Sequence, residues 1–155
     1  MIDLLKTGLF DYCLSLDYEF TTMDIILDEL YEEQVAMIQP HISSGKFTII
    51  EISIEDLRAI QEMALENDRL SEQDWSAVYF AQQNSGILLT GDSRLKNIAA
   101  AKGITICGML WILDQLVEKK VFTKGESCKF LKKLILENRR LPVEECEKRI
   151  GLWCG

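Results

Sequence analysis

The feature that most constrains this chain is an alternation of short, strand-like runs with helix-length amphipathic segments. "YEFTT" (18–22), "KFTIIEI" (46–52), "GILLT" (86–90) and "ITI" (104–106) are rich in β-branched, aromatic and leucine residues. "GILLT" is almost continuously apolar, as suits a strand buried on both faces. Between the runs, apolar residues recur at helical spacing: Ile26, Leu30, Val35 and Ile38, then Leu57, Ile60 and Ala64, then Trp75, Val78, Tyr79 and Ala81. Ser53 with Asp56, and Ser71 with Asp74, have the spacing of capping signals at helix starts. Strands that alternate with helices demand a parallel sheet covered by helices, so the expected fold is α/β, a three-layer α/β/α arrangement with a mainly parallel sheet.

A helix is also expected over residues 3–16, interrupted by Gly8, and "MDIILDELYEEQVAMIQ" reads as one continuous helix. After residue 107 the pattern is helical only, through Leu110, Leu113 and Leu116, then Leu131 and Leu134, then Ile150 and Trp153 after a break at Pro142. The 155 residues suffice for one domain, 1–155, burying about 70% of the surface its unfolded chain exposes, with a helical segment from about residue 107. No run approaches the roughly 20 apolar residues that cross a bilayer, and no secretory signal pattern opens the sequence. The expectation is a cytoplasmic protein without membrane contact. Five cysteines, no Cys-x-x-Cys pair and one histidine argue against zinc and favour reduced, packing thiols.

The net charge of −8 hides an asymmetry. Residues 1–93 carry 4 basic and 18 acidic side chains, whereas 94–155 carry 13 basic and 7 acidic. A generally acidic chain is a poor sequence-independent binder of nucleic acid, because phosphate contacts need cations. A local basic surface escapes that exclusion.

Asp92 ends the run "GILLT" and precedes a helix from about Ser93. It has two readings: a helix N-cap, for which Asp is favoured, or a functional group at the carboxyl end of a parallel strand, where α/β folds gather their sites. Asp74 and Glu29, each on a helix beside the sheet, share that ambiguity, Asp74 as half of a capping box and Glu29 as one of several exposed glutamates. Three carboxylates brought to one sheet edge repel unless a divalent cation lies among them.

Taken in order, "TTMDIILDEL", "LSEQDWSAVYFAQ", "ILLTGDSRLKNIAAAKGI" and "CGMLWILDQLVEKKVFTKGES" resemble the successive motifs of PIN-domain proteins, many of them ribonuclease toxins of bacterial toxin–antitoxin pairs. The resemblance covers about residues 3–150. It implies that Glu29, Asp74 and Asp92 are catalytic carboxylates that hold Mg2+ or Mn2+ for RNA hydrolysis. Carboxylate oxygens suit such hard cations, which polarise phosphate and acidify an attacking water. Thr90 and Ser93 are supporting candidates, and Arg94, Lys119, Lys120, Lys132 and Lys133 are candidates for contact with the RNA backbone.

The family pattern opens with a strand ending in an aspartate, and "MIDLLKTGLFDYC" resembles the segment after that strand. Asp3 is the sole acidic residue close to Met1, yet no strand fits before it, so it stands only as a supporting candidate. If the natural protein has residues upstream of Met1, the strand and its aspartate are expected there; if Met1 is its start, the neighbours of the missing central strand must pair directly or borrow a strand from another chain, a route to homo-oligomers. Two functions are therefore expected in competition: a metal-dependent ribonuclease, the toxin of a toxin–antitoxin pair, or a catalytically impaired PIN-like module that works through protein contacts such as an antitoxin. A receiver-like phosphoacceptor lacks the paired acids and late lysine it needs.

Overall fold

A computed structural model describes residues 1–155. The elements in chain order are α1 (Ile2–Thr7), α2 (Phe10–Cys13), β1 (Phe20–Met23), α3 (Asp24–Leu27), α4 (Glu32–Ser43), β2 (Phe47–Ile50), α5 (Ile54–Ala64) and α6 (Glu72–Gln83). They continue with β3 (Ile87–Leu89), α7 (Ser93–Ala101), β4 (Thr105–Cys107), α8 (Met109–Glu118), α9 (Lys124–Glu137) and α10 (Val143–Trp153). Two compact units result, one made of Met1–Tyr18 with Gly108–Gly155, the other of Glu19–Cys107.

The Glu19–Cys107 unit holds every strand. β1 pairs with β2 in parallel, Phe20 opposite Phe47 and Met23 opposite Ile50. β3 pairs with β4 in parallel, Leu88 opposite Ile106, and the Thr90 N–H extends the ladder to the Cys107 carbonyl at 3.0 Å. The fold is thus mixed α/β with exclusively parallel pairs, as the alternation requires. The sheet, however, is divided into β1-β2 and β3-β4. β1 and β3 do not pair with each other, although α6 packs against both. A parallel strand satisfies only half of its backbone groups through one neighbour, so each of these strands keeps an edge without a strand partner.

Around β3 and β4, the side chains of Ile60, Leu70, Trp75, Val78, Leu88, Leu95, Ala99 and Ile104 form one buried core. Trp75 is fully enclosed; its indole N–H donates to the Asn67 carbonyl at 3.3 Å, and Lys102, ion-paired with Glu66 at 2.8 Å, lies 5.6 Å from the ring centroid. Both anticipated capping boxes are present. Ser53 Oγ accepts from the Asp56 N–H, and Ser71 Oγ from the Asp74 N–H, each at 3.1 Å.

Two helices differ from expectation. The first divides into α1 and α2 because Gly8 adopts a left-handed φ of 76°, and its N–H returns to the Leu4 and Leu5 carbonyls. The helix expected after β1 divides into α3 and α4 at residues 28–31, where the Tyr31 N–H donates to Gln34 Oε1 at 3.0 Å and starts α4 afresh.

The other unit is entirely helical. Leu9, Ile112, Leu113, Leu116, Leu131 and Leu134 are fully buried in it. Arg149 on α10 reaches Asp114 on α8, with a 2.8 Å bond from Nε, and Glu145 on its own helix at 3.0 Å. The expected set of reduced thiols needs correction, since Cys128 and Cys154 are joined as a disulfide. The partners lie 26 residues apart, at the start of α9 and just past the end of α10, and only the hairpin of those two helices brings them together. Cys13, Cys107 and Cys146 remain thiols. No helix is long and apolar enough to cross a membrane.

Candidate active site

Local sequence explains where each carboxylate stands. Glu29 follows α3, its N–H bonded to the Ile26 carbonyl at 3.2 Å, so the turn continues one step and stops before α4. Asp74 occupies the third position of α6, where Oδ2 accepts from the Ser71 N–H at 3.2 Å and Oδ1 stays uncommitted. Asp92 caps α7, and its Oδ1 accepts from the N–H groups of both Arg94 and Leu95 at 2.9 Å. The cap reading of Asp92 is therefore realised, while Oδ2 has no partner. A cap uses one oxygen and leaves the charge, so the cap does not itself oppose a functional role.

Electrostatics link two of the three. The Glu29 carboxyl is held above its usual range, first by partial loss of hydration and then by the negative charge of Asp74. Those two acids share a locus of repulsion. No group of three acidic, histidine or cysteine side chains converges closely enough to hold a metal ion. A hard cation such as Mg2+ demands six oxygens in near-octahedral array, and the residues present do not make such a set by themselves.

The supporting residues have plainer roles. Thr90 Oγ1 accepts the Asp92 N–H at 3.1 Å and shapes the turn that leads into the cap. Ser93 opens α7 and is exposed, and Arg94, also exposed, uses only its backbone N–H toward Asp92. Asp3 lies in the helical unit, where Oδ2 accepts from the Asn138 amide at 2.6 Å and ties α1 to the end of α9. Lys133 donates to the Thr7 carbonyl at 2.8 Å, neutralising the end of α1. Lys119, Lys120 and Lys132 are exposed and in no ion pair.

One further acid stands at a strand end without the sequence having marked it as a candidate. Asp24 directly follows β1 and bonds the N–H of Ile25 at 2.8 Å and of Ile52 at 3.2 Å, clamping the exit of β1 to that of β2. Its position after "TTM" is the available signal, yet both oxygens are spent on backbone.

The sequence profile of the PIN domain matches residues 1–153, essentially the whole chain. This chain belongs to the PIN-domain family. Endoribonuclease Nob1 of Pyrococcus abyssi (strain GE5 / Orsay) is 32% identical over 93 residues, covering 57% of this chain and 58% of that protein. The chain thus spans little over half the length of that relative. Membership accords with the mixed α/β architecture and its parallel strand pairs. In this PIN domain the charge of Asp74 acts on Glu29, and Asp92 does not complete a three-acid group with them.

Proposed function

We propose that this PIN domain is a ribonuclease that hydrolyses RNA phosphodiester bonds with Glu29, Asp74 and Asp92 as its acidic machinery and Mg2+ or Mn2+ as the ion it depends on. What supports the reading is the match to the PIN domain over residues 1–153, together with Glu29 and Asp74 lying near enough for the Asp74 charge to add to the upward shift of the Glu29 carboxyl. The similarity to an endoribonuclease supports the choice of RNA. The exposed lysines of 119–132 supply cations for a polyanion in an otherwise acidic chain. We place the activity in the cytoplasm, on the toxin side of a toxin–antitoxin pair, and expect the protein to self-associate; the order of motifs supports that assignment.

The test is cleavage of a mixed RNA pool in Mg2+ or Mn2+, with Asp92→Asn prepared identically. Metal-dependent cleavage that disappears in the variant upholds the assignment. A second reading, a catalytically impaired module acting through protein contacts, is favoured by the divided sheet and the absence of a three-carboxylate cluster. Intact RNA under all these conditions, together with a stable oligomer or antitoxin complex by size-exclusion chromatography, would decide for it.

A further inference from the structure

The end of α10 is anchored in two different ways. Arg149 is held by polar bonds: its Nε donates to Asp114 of α8 at 2.8 Å, and its Nη1 to the Glu145 carbonyl at 2.9 Å. Cys146, one turn earlier on the helix, is buried. Beyond Arg149 the ties change in kind. Trp153 is packed inward, Leu152 is exposed, and the Cys154 N–H closes the helix on the Ile150 carbonyl at 2.9 Å. The disulfide from Cys154 to Cys128 then joins this helix end to α9.

The turn between those two anchors is weak in its own right. Gly151 lies within the helix, and its φ is not left-handed. A β-carbon there would meet nothing within 4 Å beyond its chain neighbours and its own helix backbone. Neither space nor backbone conformation therefore calls for glycine, which makes a helical turn about fivefold less favourable than alanine does. Access to sulfur is uneven as well. Cys13, Cys128 and Cys146 are buried, whereas Cys154 is half-buried, so a solute in water reaches the bond from the Cys154 side.

We propose that Cys154 is a site of exchange with small thiols and that the Cys128–Cys154 bond is a reversible latch, whose opening releases the last turn of α10 while Arg149 keeps the rest of the helix docked. A small thiol attacks Cys154 Sγ as its thiolate and forms a mixed disulfide. The Cys128–Cys154 bond breaks, and its electron pair leaves with Cys128 Sγ, which takes up the proton the small thiol lost. A second small thiol then displaces Cys154 as a thiol and departs as the oxidised small disulfide. The protein gains two electrons and two protons, and two small thiols become one disulfide. Opened, the Gly151 turn loses its covalent tie and frays, and Trp153 is uncovered. Arg149 still holds the preceding turn against α8, so the two cysteines stay within reach and oxidation restores the same bond. This device operates whether or not the protein is a nuclease.

The oxidised full-length chain is incubated with reduced glutathione without denaturant, quenched in acid and mapped by peptide mass spectrometry. A glutathione adduct on Cys154 with a free thiol at Cys128 is expected. Backbone order parameters from NMR relaxation then compare the oxidised and reduced proteins. Residues 151–153 are expected to fall from about 0.85 to below about 0.6 on reduction, with Cys146–Arg149 and α8 unchanged and reoxidation restoring the first value. Cys128→Ser should show the reduced pattern under all conditions. Gly151→Ala should favour the helical form of the reduced turn about fivefold and leave the oxidised one as it is, an effect that a bond with no latch role does not produce. A bond that glutathione opens only in urea, an adduct on Cys128, or equal order in the oxidised and reduced proteins overturns the proposal. Loss of order throughout α8 on reduction also overturns it, because the bond would then staple the whole helical unit.

Discussion

Asp74, the third residue of α6, raises the proton affinity of Glu29, forty-five positions earlier in the turn after α3. Loss of hydration contributes more, and the two act in the same direction. A carboxyl with a raised folded-state pKa favours folding while protonated, and that contribution fades as pH climbs from the ordinary glutamate value of 4.5 through the raised one. Asp74→Asn is expected to lower the Glu29 pKa, and Glu29→Gln to remove the Glu29 share of the pH dependence across that window, leaving the opposite contribution of Asp56, Glu126 and Glu145, whose carboxyls are held low. Carboxyl carbon NMR titration checks the first, urea midpoints against pH the second. An unmoved Glu29 titration in Asp74→Asn contradicts the coupling.

Asp92 caps α7, and the proposed function gives it a second, separable role. Asn preserves the cap, because its side-chain oxygen accepts the same Arg94 and Leu95 N–H bonds, whereas Ala removes it at a cost of about 1 kcal/mol. Asp92→Asn should therefore unfold close to wild type and lose cleavage, while Asp92→Ala loses both. Equal destabilisation by the two substitutions, measured by urea unfolding, would leave the cap account without support.

The Cys128–Cys154 disulfide closes a loop of 26 residues at the α9–α10 hairpin. Loop-closure entropy assigns such a bond about 2–4 kcal/mol. Denaturation with and without dithiothreitol should show that difference, and Cys154→Ser should be insensitive to the reductant. Identical curves for the oxidised and reduced wild type would mean that the bond contributes nothing.

Cys13 is 1% exposed, and burial pushes its thiol up to about 12. The thiolate is the reactive form, so iodoacetamide at pH 8 is expected to spare Cys13 in the native protein and modify it in urea. Peptide mass spectrometry reads the site directly. Rapid native labelling of Cys13 runs against this packing.

Local interactions made much of this protein legible in its sequence. The capping boxes of α5 and α6 act over three residues, the strand runs declare themselves by composition, and Asp92 follows β3 closely. Each of these is decided by neighbours along the chain. The alternation they create was enough to require parallel pairing, and the motif order enough to indicate a PIN domain, which the match over residues 1–153 shows.

What only the tertiary structure decided involves partners far apart in sequence. Composition cannot state that β1 and β3 stay unpaired while α6 rests on both, because pairing depends on which backbone edges are brought within reach. Asp3 accepts on one oxygen from Asn138, and Lys133 donates one N–H to the Thr7 carbonyl, partners 135 and 126 positions away that no local pattern announces. Cys128 meets Cys154, and Tyr12 meets Phe122, only when the helices of the helical unit pack. Periodicity specifies which face of a helix turns inward; the identity of the group opposite is set by the packing of whole elements, and that is where the chemistry of these side chains was determined.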